Sequence, residues 1–134
     1  MSEAPAVPSS GDDIRVPPHN DDAERSLLGA VLLDNSILDS VLTKVNAEDF
    51  YRERHRHVFR AMGEIHEDDS EGNIDVITLG DRLSAEEKLE AVGGASFLTR
   101  LSNEVPSSAN VQQYVRIVRK KAMLRKFISA TGSL

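Results

Sequence analysis

The sequence predicts an all-α fold, a compact bundle of about six short helices followed by one long C-terminal helix. Apolar residues recur at spacings of three and four along most of the chain, which is the period of an amphipathic helix. No stretch shows the sustained alternation of β-branched and polar residues that is typical of a strand. The connections between the apolar segments are mostly short, as packed helices require.

The 134 residues suffice for one domain with a modest core. Residues 1–19 contain four of the five prolines and little apolar content, so we expect a disordered N-terminal tail there. We expect residues 20–106 to form a globular helical head and residues 107–134 to form the long helix of the same domain.

The head is predicted to begin with two helices. Asp21 is expected to be the N-cap of the first, with Glu24 reaching back to complete a capping box, and this helix should run to about Leu33. Asp34 and the residue after it break the pattern. Ser36 is then expected to cap a second helix over residues 37–45.

Four further segments complete the predicted head. A third helix over residues 52–66 should bury one stripe, and a fourth over residues 76–83 is capped by Asp75. A short piece over residues 86–91 ends at Gly93, where a left-handed backbone costs little. A sixth piece over residues 94–104 is stopped by Pro106. The expected inward residues are His55, Val58, Phe59, Met62, Ile65, Leu79, Leu83, Phe97, Leu98 and Leu101.

Residues 111–131 form the long helix, without proline, glycine or any acidic residue. At about 100° per residue, its apolar side covers roughly half of the circumference, which is wider than one packed neighbour needs. We therefore expect it to be covered on two sides, by the rest of this chain and by something else. Within the apolar side, we expect Lys121 to keep its ammonium group in water and Arg125 to pair with a carboxylate of the head or of another subunit.

Charge is distributed unevenly. Residues 1–104 hold 22 acids and 10 bases, a net charge of −12, whereas residues 105–134 hold six bases and no acid. An acidic head should repel nucleic acid, while the basic helix could meet phosphates, an acidic protein surface or the chain's own head.

The sequence contains no recognisable catalytic motif. It has no cysteine, no phosphate-binding G-x-x-x-x-G-K-[ST] loop and no H-E-x-x-H motif. His55 and His57 lie two residues apart on a helix and cannot share one metal, and the acidic loop after His66 is at most a weak cation site. We therefore predict no catalytic, cofactor-binding or metal-binding residues. The absence of an apolar leader or spanning segment favours a cytoplasmic location without a membrane partner.

Five segments in order resemble the N-terminal domain of the bacterial replicative hexameric DNA helicase, the DnaB family. They are residues 23–34 (AERSLLGAVLLD), 49–62 (DFYR followed by HRHVFRAM), 74–79 (IDVITL), 92–98 (VGGASFL) and 105–111 (VPSSANV). Tyr114, residues 117–119 and residues 124–125 continue the similarity along the long helix.

The resemblance implies a non-catalytic domain that forms oligomers and docks primase in a helicase acting at the bacterial replication fork. In this family the domain is a helical head followed by a helical hairpin, and six copies form a collar. ATP and magnesium serve a separate motor domain that unwinds duplex DNA 5′→3′ and makes most of the contact with DNA. The sequence ends before the second hairpin helix and that motor, so we expect no ATP hydrolysis from this chain. Without the hairpin partner that the resemblance implies, we also expect Leu124, Phe127 and Ile128 to be partly bare.

The residues expected at the interface with other helicase subunits or with primase are Phe97, Arg116, Arg119, Lys120, Leu124, Arg125, Phe127 and Ile128. Three interpretations of Arg116, Arg119 and Lys120 stay open: contact with an acidic surface of primase, a weak contact with DNA, or solubility alone. The alternative function is a stand-alone helical DNA-binding regulator. Residues 37–45 and 76–83, its candidate recognition helices, carry few bases for contacts with phosphates.

Overall fold

The computed structural model describes residues 16–132, which fold into seven α-helices and no strand. The helices are α1 (Asp21–Leu33), α2 (Leu38–Leu42), α3 (Glu53–Asp68), α4 (Val76–Ala85), α5 (Leu89–Val92), α6 (Gly94–Ser102) and α7 (Val111–Thr131). Single 3-10 turns, Asn35–Ile37 and Ala47–Asp49, precede α2 and α3. The predicted all-α fold is confirmed. Most of the predicted tail, residues 1–15, lies outside the described residues.

The N-terminus of α1 differs from the prediction. Asn20 is the N-cap, in an extended conformation, and its side-chain oxygen accepts a hydrogen bond from the Ala23 N–H at 2.9 Å. Asp21 is already helical and pairs with Arg52. Glu24 is turned into the interior, where it is 2% exposed. The capping box of Asp21 and Glu24 is therefore wrong, because the Glu24 carboxylate is used by a distant segment of the chain.

The predicted second helix is shorter and starts differently. Ser36 does not cap it: α2 begins after Ile37 without a side-chain cap, and Asp34 caps the preceding 3-10 turn, since an oxygen of its carboxylate accepts from the Ser36 N–H at 3.1 Å and from the Ser36 hydroxyl at 2.6 Å. The Asn35 amide exchanges hydrogen bonds with both backbone groups of Ile74. These local bonds hold a 3-10 turn in place of a continuous first turn of α-helix.

Helices α3, α4 and α6 follow the prediction closely, whereas α5 begins at Leu89 and not at Glu86, because Glu86 ends α4 and Glu87 turns the chain with a φ of 60°. His55, Val58, Phe59 and Met62 of α3 are buried. Asp75 caps α4, since its side chain accepts from the Thr78 N–H and the Thr78 hydroxyl oxygen accepts from the Asp75 N–H, both at 2.9 Å. Helix α5 ends at Gly93, whose φ of 112° is left-handed as expected. Helix α6 buries Phe97, Leu98 and Leu101.

Helix α1 lies at the centre and packs against both α6 and α7. Its buried side, which includes Leu27, Leu28, Ala30 and Val31, is almost inaccessible to solvent. Gly29 allows α6 to approach closely, because a Cβ at this position would stand 2.6 Å from the carbonyl oxygen of Leu101. The helix that carries the resemblance motif AERSLLGAVLLD thus organises the core on which α7 rests.

Candidate functional site: the surface of the long helix

Helix α7 is covered by the head only along its first half. Val111, Val115, Val118 and Ala122 are buried, at 6% exposure or less, and face α1. After Ala122, no described residue of α7 is buried. The helix therefore extends beyond the part of the chain that supports it.

An uncovered apolar surface follows. Met123, Leu124 and Phe127 are 65%, 39% and 67% exposed, and Ile128 is half-buried. We call these four residues the apolar end. The prediction that Leu124, Phe127 and Ile128 would be partly bare is confirmed for this chain. Met123 adds to the surface because it lies one turn before Phe127 on the same side of the helix.

Arg125 fixes the apolar end to the head. Its guanidinium donates to the carbonyl oxygens of Pro18 at 2.9 Å and Asp49 at 2.7 Å, and its Cζ lies 5.5 Å from the centre of the Tyr51 ring. The predicted carboxylate partner is wrong. Within the described residues the partners of Arg125 are two backbone carbonyls, one of Asp49 in the head and one of Pro18 just before α1. Burial lowers the pKa of Arg125, with the Glu24 carboxylate acting in the opposite direction, and an arginine remains charged there at neutral pH.

The residues just before α1 complete this support. The His19 ring stacks on Tyr51 with centroids 4.1 Å apart, and His19 Nδ1 lies 2.8 Å from the Pro17 carbonyl oxygen. Tyr51 is thus held between His19 and the guanidinium of Arg125. The predicted disordered tail extended to residue 19, and its last residues make these defined contacts.

A buried acid joins α1 to α3 beneath this surface. The Glu24 carboxylate accepts from the Tyr51 N–H at 2.6 Å and the Arg52 N–H at 3.3 Å, and one of its oxygens lies 2.6 Å from His55 Nδ1. His55 is fully buried, as predicted from its place in the apolar stripe. Its Nε2 has no hydrogen-bond partner among the described residues, so Nδ1 carries the proton donated to Glu24. The sequence did not reveal this role for Glu24, because an acid in a first helical turn usually caps it.

Phe97, one of the expected interface residues, lies in the core. It is 2% exposed and stacks on His55 with ring centroids 5.9 Å apart. The guanidinium carbons of Arg54 and Arg100 lie 4.9 Å and 5.8 Å from the centre of its ring. At the surface above Phe97, a partner would therefore meet these two arginines.

The basic residues of α7 are exposed. Arg116, Arg119 and Lys120 all face solvent, and none forms an ion pair with another residue of the described range 16–132. Lys121 is half-buried and likewise has no carboxylate partner in that range. The charge of this part of α7 is thus available to another molecule.

No group of three metal-ligating side chains occurs within residues 16–132. His66 contacts the Asp39 carboxylate, with Nε2 and Oδ1 2.6 Å apart, and His57 lies 3.6 Å from Glu53. In the same range, no helix combines the length and apolar character needed to cross a membrane.

Comparison with known proteins relates the chain to one family. The family model described as the DnaB-like helicase N terminal domain matches residues 16–120. The replicative DNA helicase DnaB of Geobacillus stearothermophilus is 40% identical over 120 residues, which are 90% of this chain and 26% of that protein. The chain thus spans about a quarter of the length of the curated relatives it matches.

The comparison of the fold with solved structures indicates the same family. The crystal structure of the N-terminal domain of DnaB helicase from Mycobacterium tuberculosis superimposes with a TM-score of 0.83 at 33% identity, covering 88% of this chain and 82% of that one. A DnaB-like replicative helicase, described with its interactions with primase, gives a TM-score of 0.73 at 25% identity and covers 85% of this chain and 26% of that one. From its helical head to the first half of its long helix, the chain therefore belongs to the family of DnaB-like helicase N-terminal domains.

Proposed function

We propose that the chain is the non-catalytic domain through which a bacterial replicative DNA helicase assembles its subunits and docks primase in the cytoplasm. ATP and magnesium would act in a separate motor domain of the whole protein, which would unwind duplex DNA 5′→3′. The observation that carries the proposal is the apolar end of α7, which is exposed on a helix that the head supports along only half of its length.

The apolar end has the chemistry of a protein–protein contact. Contiguous exposed apolar residues are uncommon on a monomer, and burial of one large apolar side chain contributes about 1.5–3 kcal/mol. Phe127 and Met123 are the side chains with the most apolar surface left to bury there. Arg125 holds this part of α7 in place through two hydrogen bonds, so little conformational entropy is lost when a partner binds.

Two partners fit different parts of this surface. A second helix, from another subunit or from the hairpin that the family resemblance implies, can pack along Leu124 and Ile128 by interlocking side-chain ridges. Primase is the second partner, because one relative of similar fold is described with its interactions with primase. The exposed bases Arg116, Arg119 and Lys120 would favour an acidic surface on that partner.

The test is a charge placed in the apolar end. Phe127→Asp and Ile128→Asp should each reduce self-association, measured as molar mass by sedimentation, or retention of the same organism's primase C-terminal domain in a pull-down. The matched control is Ile77→Asp on α4, since Ile77 is also a large exposed apolar residue, 77% exposed, on a different helix. The proposal fails if neither assay distinguishes the α7 variants from the control.

The alternative, a stand-alone DNA-binding regulator, would require duplex binding by a dimer at physiological salt. The candidate recognition helices give it little support. Helix α2 contains no base, and Arg82, the one base of α4, is already paired with Asp68 and Glu64. Phosphate contacts need free cationic groups, which these two helices lack in the described part of the chain.

A further inference from the structure

A cleft beside α7 brings together three cations from two parts of the chain. Lys44 follows α2, whereas Arg119 and Lys126 lie two turns apart on α7. All three line one cavity of about 190 Å³. At about 30 Å³ for each water, this volume has room for one phosphate group and a few waters.

The positive charge of this cleft is not neutralised by the described chain. None of the three cations forms an ion pair with a carboxylate of residues 16–132. The Lys44 ammonium donates to the neutral Gln112 side-chain oxygen at 2.8 Å, which fixes its position without cancelling its charge. Asp49 is the only acid in the lining, and its carboxylate accepts from the Asn46 N–H at 2.9 Å.

We propose that this cleft binds a backbone phosphate of a single-stranded nucleic acid through Lys44, Arg119 and Lys126. The inference goes beyond subunit and primase docking and does not depend on it. A phosphodiester group offers two charged oxygens to cations that approach from different directions, which suits a concave site formed by two elements. A single carboxylate, in contrast, is satisfied by one arginine.

The surface beyond the cleft suits a flexible strand. Arg116 and Lys120 are exposed on the same side of α7, about one turn before Arg119 and Met123, so the backbone of a strand leaving the cleft meets further cations. A rigid duplex would also approach the head, where residues 20–104 have a net charge of −10. A single strand can instead follow the basic side of α7.

The test measures the binding of the full 134-residue chain to a labelled oligothymidine of about 15 nucleotides, a length within the usual site sizes. With one phosphate in the cleft and two more along Arg116 and Lys120, the logarithm of the binding constant should fall with that of salt concentration with a slope of about −2. Between about 50 and 200 mM salt, the affinity should therefore decrease about 20-fold.

Lys126→Gln should weaken binding at about 50 mM salt, and the combination of Lys44→Gln, Arg119→Gln and Lys126→Gln, which removes the phosphate contact in the cleft, should reduce the magnitude of the salt slope by about 0.7. Lys88→Gln is the matched control, because Lys88 is an exposed lysine outside the cleft. Lys88→Gln removes the same charge as Lys126→Gln and should leave the affinity and its dependence on salt concentration unchanged. Thermal melts of each variant establish that the fold is kept.

Three outcomes would overturn the proposal. The control could weaken binding as much as Lys126→Gln, which would mean that only net charge matters. A duplex of equal length could bind as tightly as the single strand. Polyglutamate of equal charge could displace the oligonucleotide completely, which would identify an acidic protein as the occupant. Lys44 and Lys126 have no part in the docking proposal, so subunit and primase assays on Lys44→Gln and Lys126→Gln report separately on docking, and the two proposals can fail independently.

Discussion

The close approach of α1 and α6 gives a prediction in which two opposing effects can be compared. Replacement of Gly29 by alanine raises the helix propensity of α1 by about 1 kcal/mol. However, the new Cβ would stand 2.6 Å from the Leu101 carbonyl oxygen and 3.1 Å from the Glu104 Cβ. Ordinary contacts of this type begin at about 3.3 Å, so the helices would have to separate by about 0.7 Å.

This displacement has little room. The Leu101 carbonyl already accepts from the Glu104 N–H at 3.1 Å, so it cannot turn away without loss of that bond. Overpacking of this kind costs about 1–3 kcal/mol, which exceeds the gain in propensity. The difference between these effects is centred on about 1 kcal/mol, so we expect Gly29→Ala to lower the free energy of unfolding by about that amount and the melting temperature by about 4 °C.

The matched control is Gly63→Ala in α3, where the nearest heavy atom to the added Cβ would be the Leu42 Cδ2 at 3.8 Å. This contact is ordinary, so we expect the variant to gain about 0.5–1 kcal/mol from helix propensity and reduced unfolded-state entropy. Urea unfolding followed by circular dichroism measures both variants. The reasoning is refuted if Gly29→Ala is as stable as the unchanged chain, or if both variants shift in the same direction.

Two further predictions concern the ion pairs around α1. Arg52 lowers the pKa of Asp21 below its ordinary value of 3.8 through two hydrogen bonds, of 2.8 and 3.0 Å. The stabilisation by this pair is therefore present above the unfolded-state pKa of Asp21 and is lost as the pH falls through its folded-state pKa. Because the pair is partly exposed, Asp21→Asn should lower the free energy of unfolding by only about 0.5 kcal/mol at pH 7 and should leave it unchanged at about pH 2. Urea unfolding at both pH values checks this, and an equal cost at both would contradict it. Glu24→Gln replaces a buried carboxylate that accepts from two backbone N–H groups and lies beside His55. This variant should lower the free energy of unfolding by about 2–4 kcal/mol in the same assay. The control Glu48→Gln, on the exposed surface, should lower it by less than about 0.5 kcal/mol.

Sequence patterns were most informative where local chemistry determines the structure. The long helix spans residues 111–131 as predicted, since nothing within it breaks a helix and Gly132 ends it with a left-handed backbone. The cap at Asp75 and the left-handed Gly93 were also predictable, because each depends on residues within one turn. The width of the apolar side of α7 predicted a second covering neighbour, and the bare residues Leu124, Phe127 and Ile128 followed from the missing hairpin helix that the family resemblance implies.

Prediction failed where a side chain is used by a distant segment. Asn20, Asp21 and Asp22 can all cap a helix, and only the tertiary demand for Glu24 at Tyr51 and for Asp21 at Arg52 shows which one does so. The partner of Arg125 could not be found among acids, because its acceptors are main-chain oxygens that every residue carries. The cleft of three cations likewise depends on the placement of Lys44 beside α7, which no spacing within the sequence reveals.

The hydrogen bond from Arg125 to the Pro18 carbonyl joins residues 107 positions apart, nearly the full length of the described chain. Contacts of such long sequence separation form late in folding, because the loops between them must close first. The last part of α7 is therefore oriented only after the head has assembled around α1. In a partially folded chain, the same apolar residues would not have their native orientation. Subunits would therefore assemble through this surface only when their cores are completely folded.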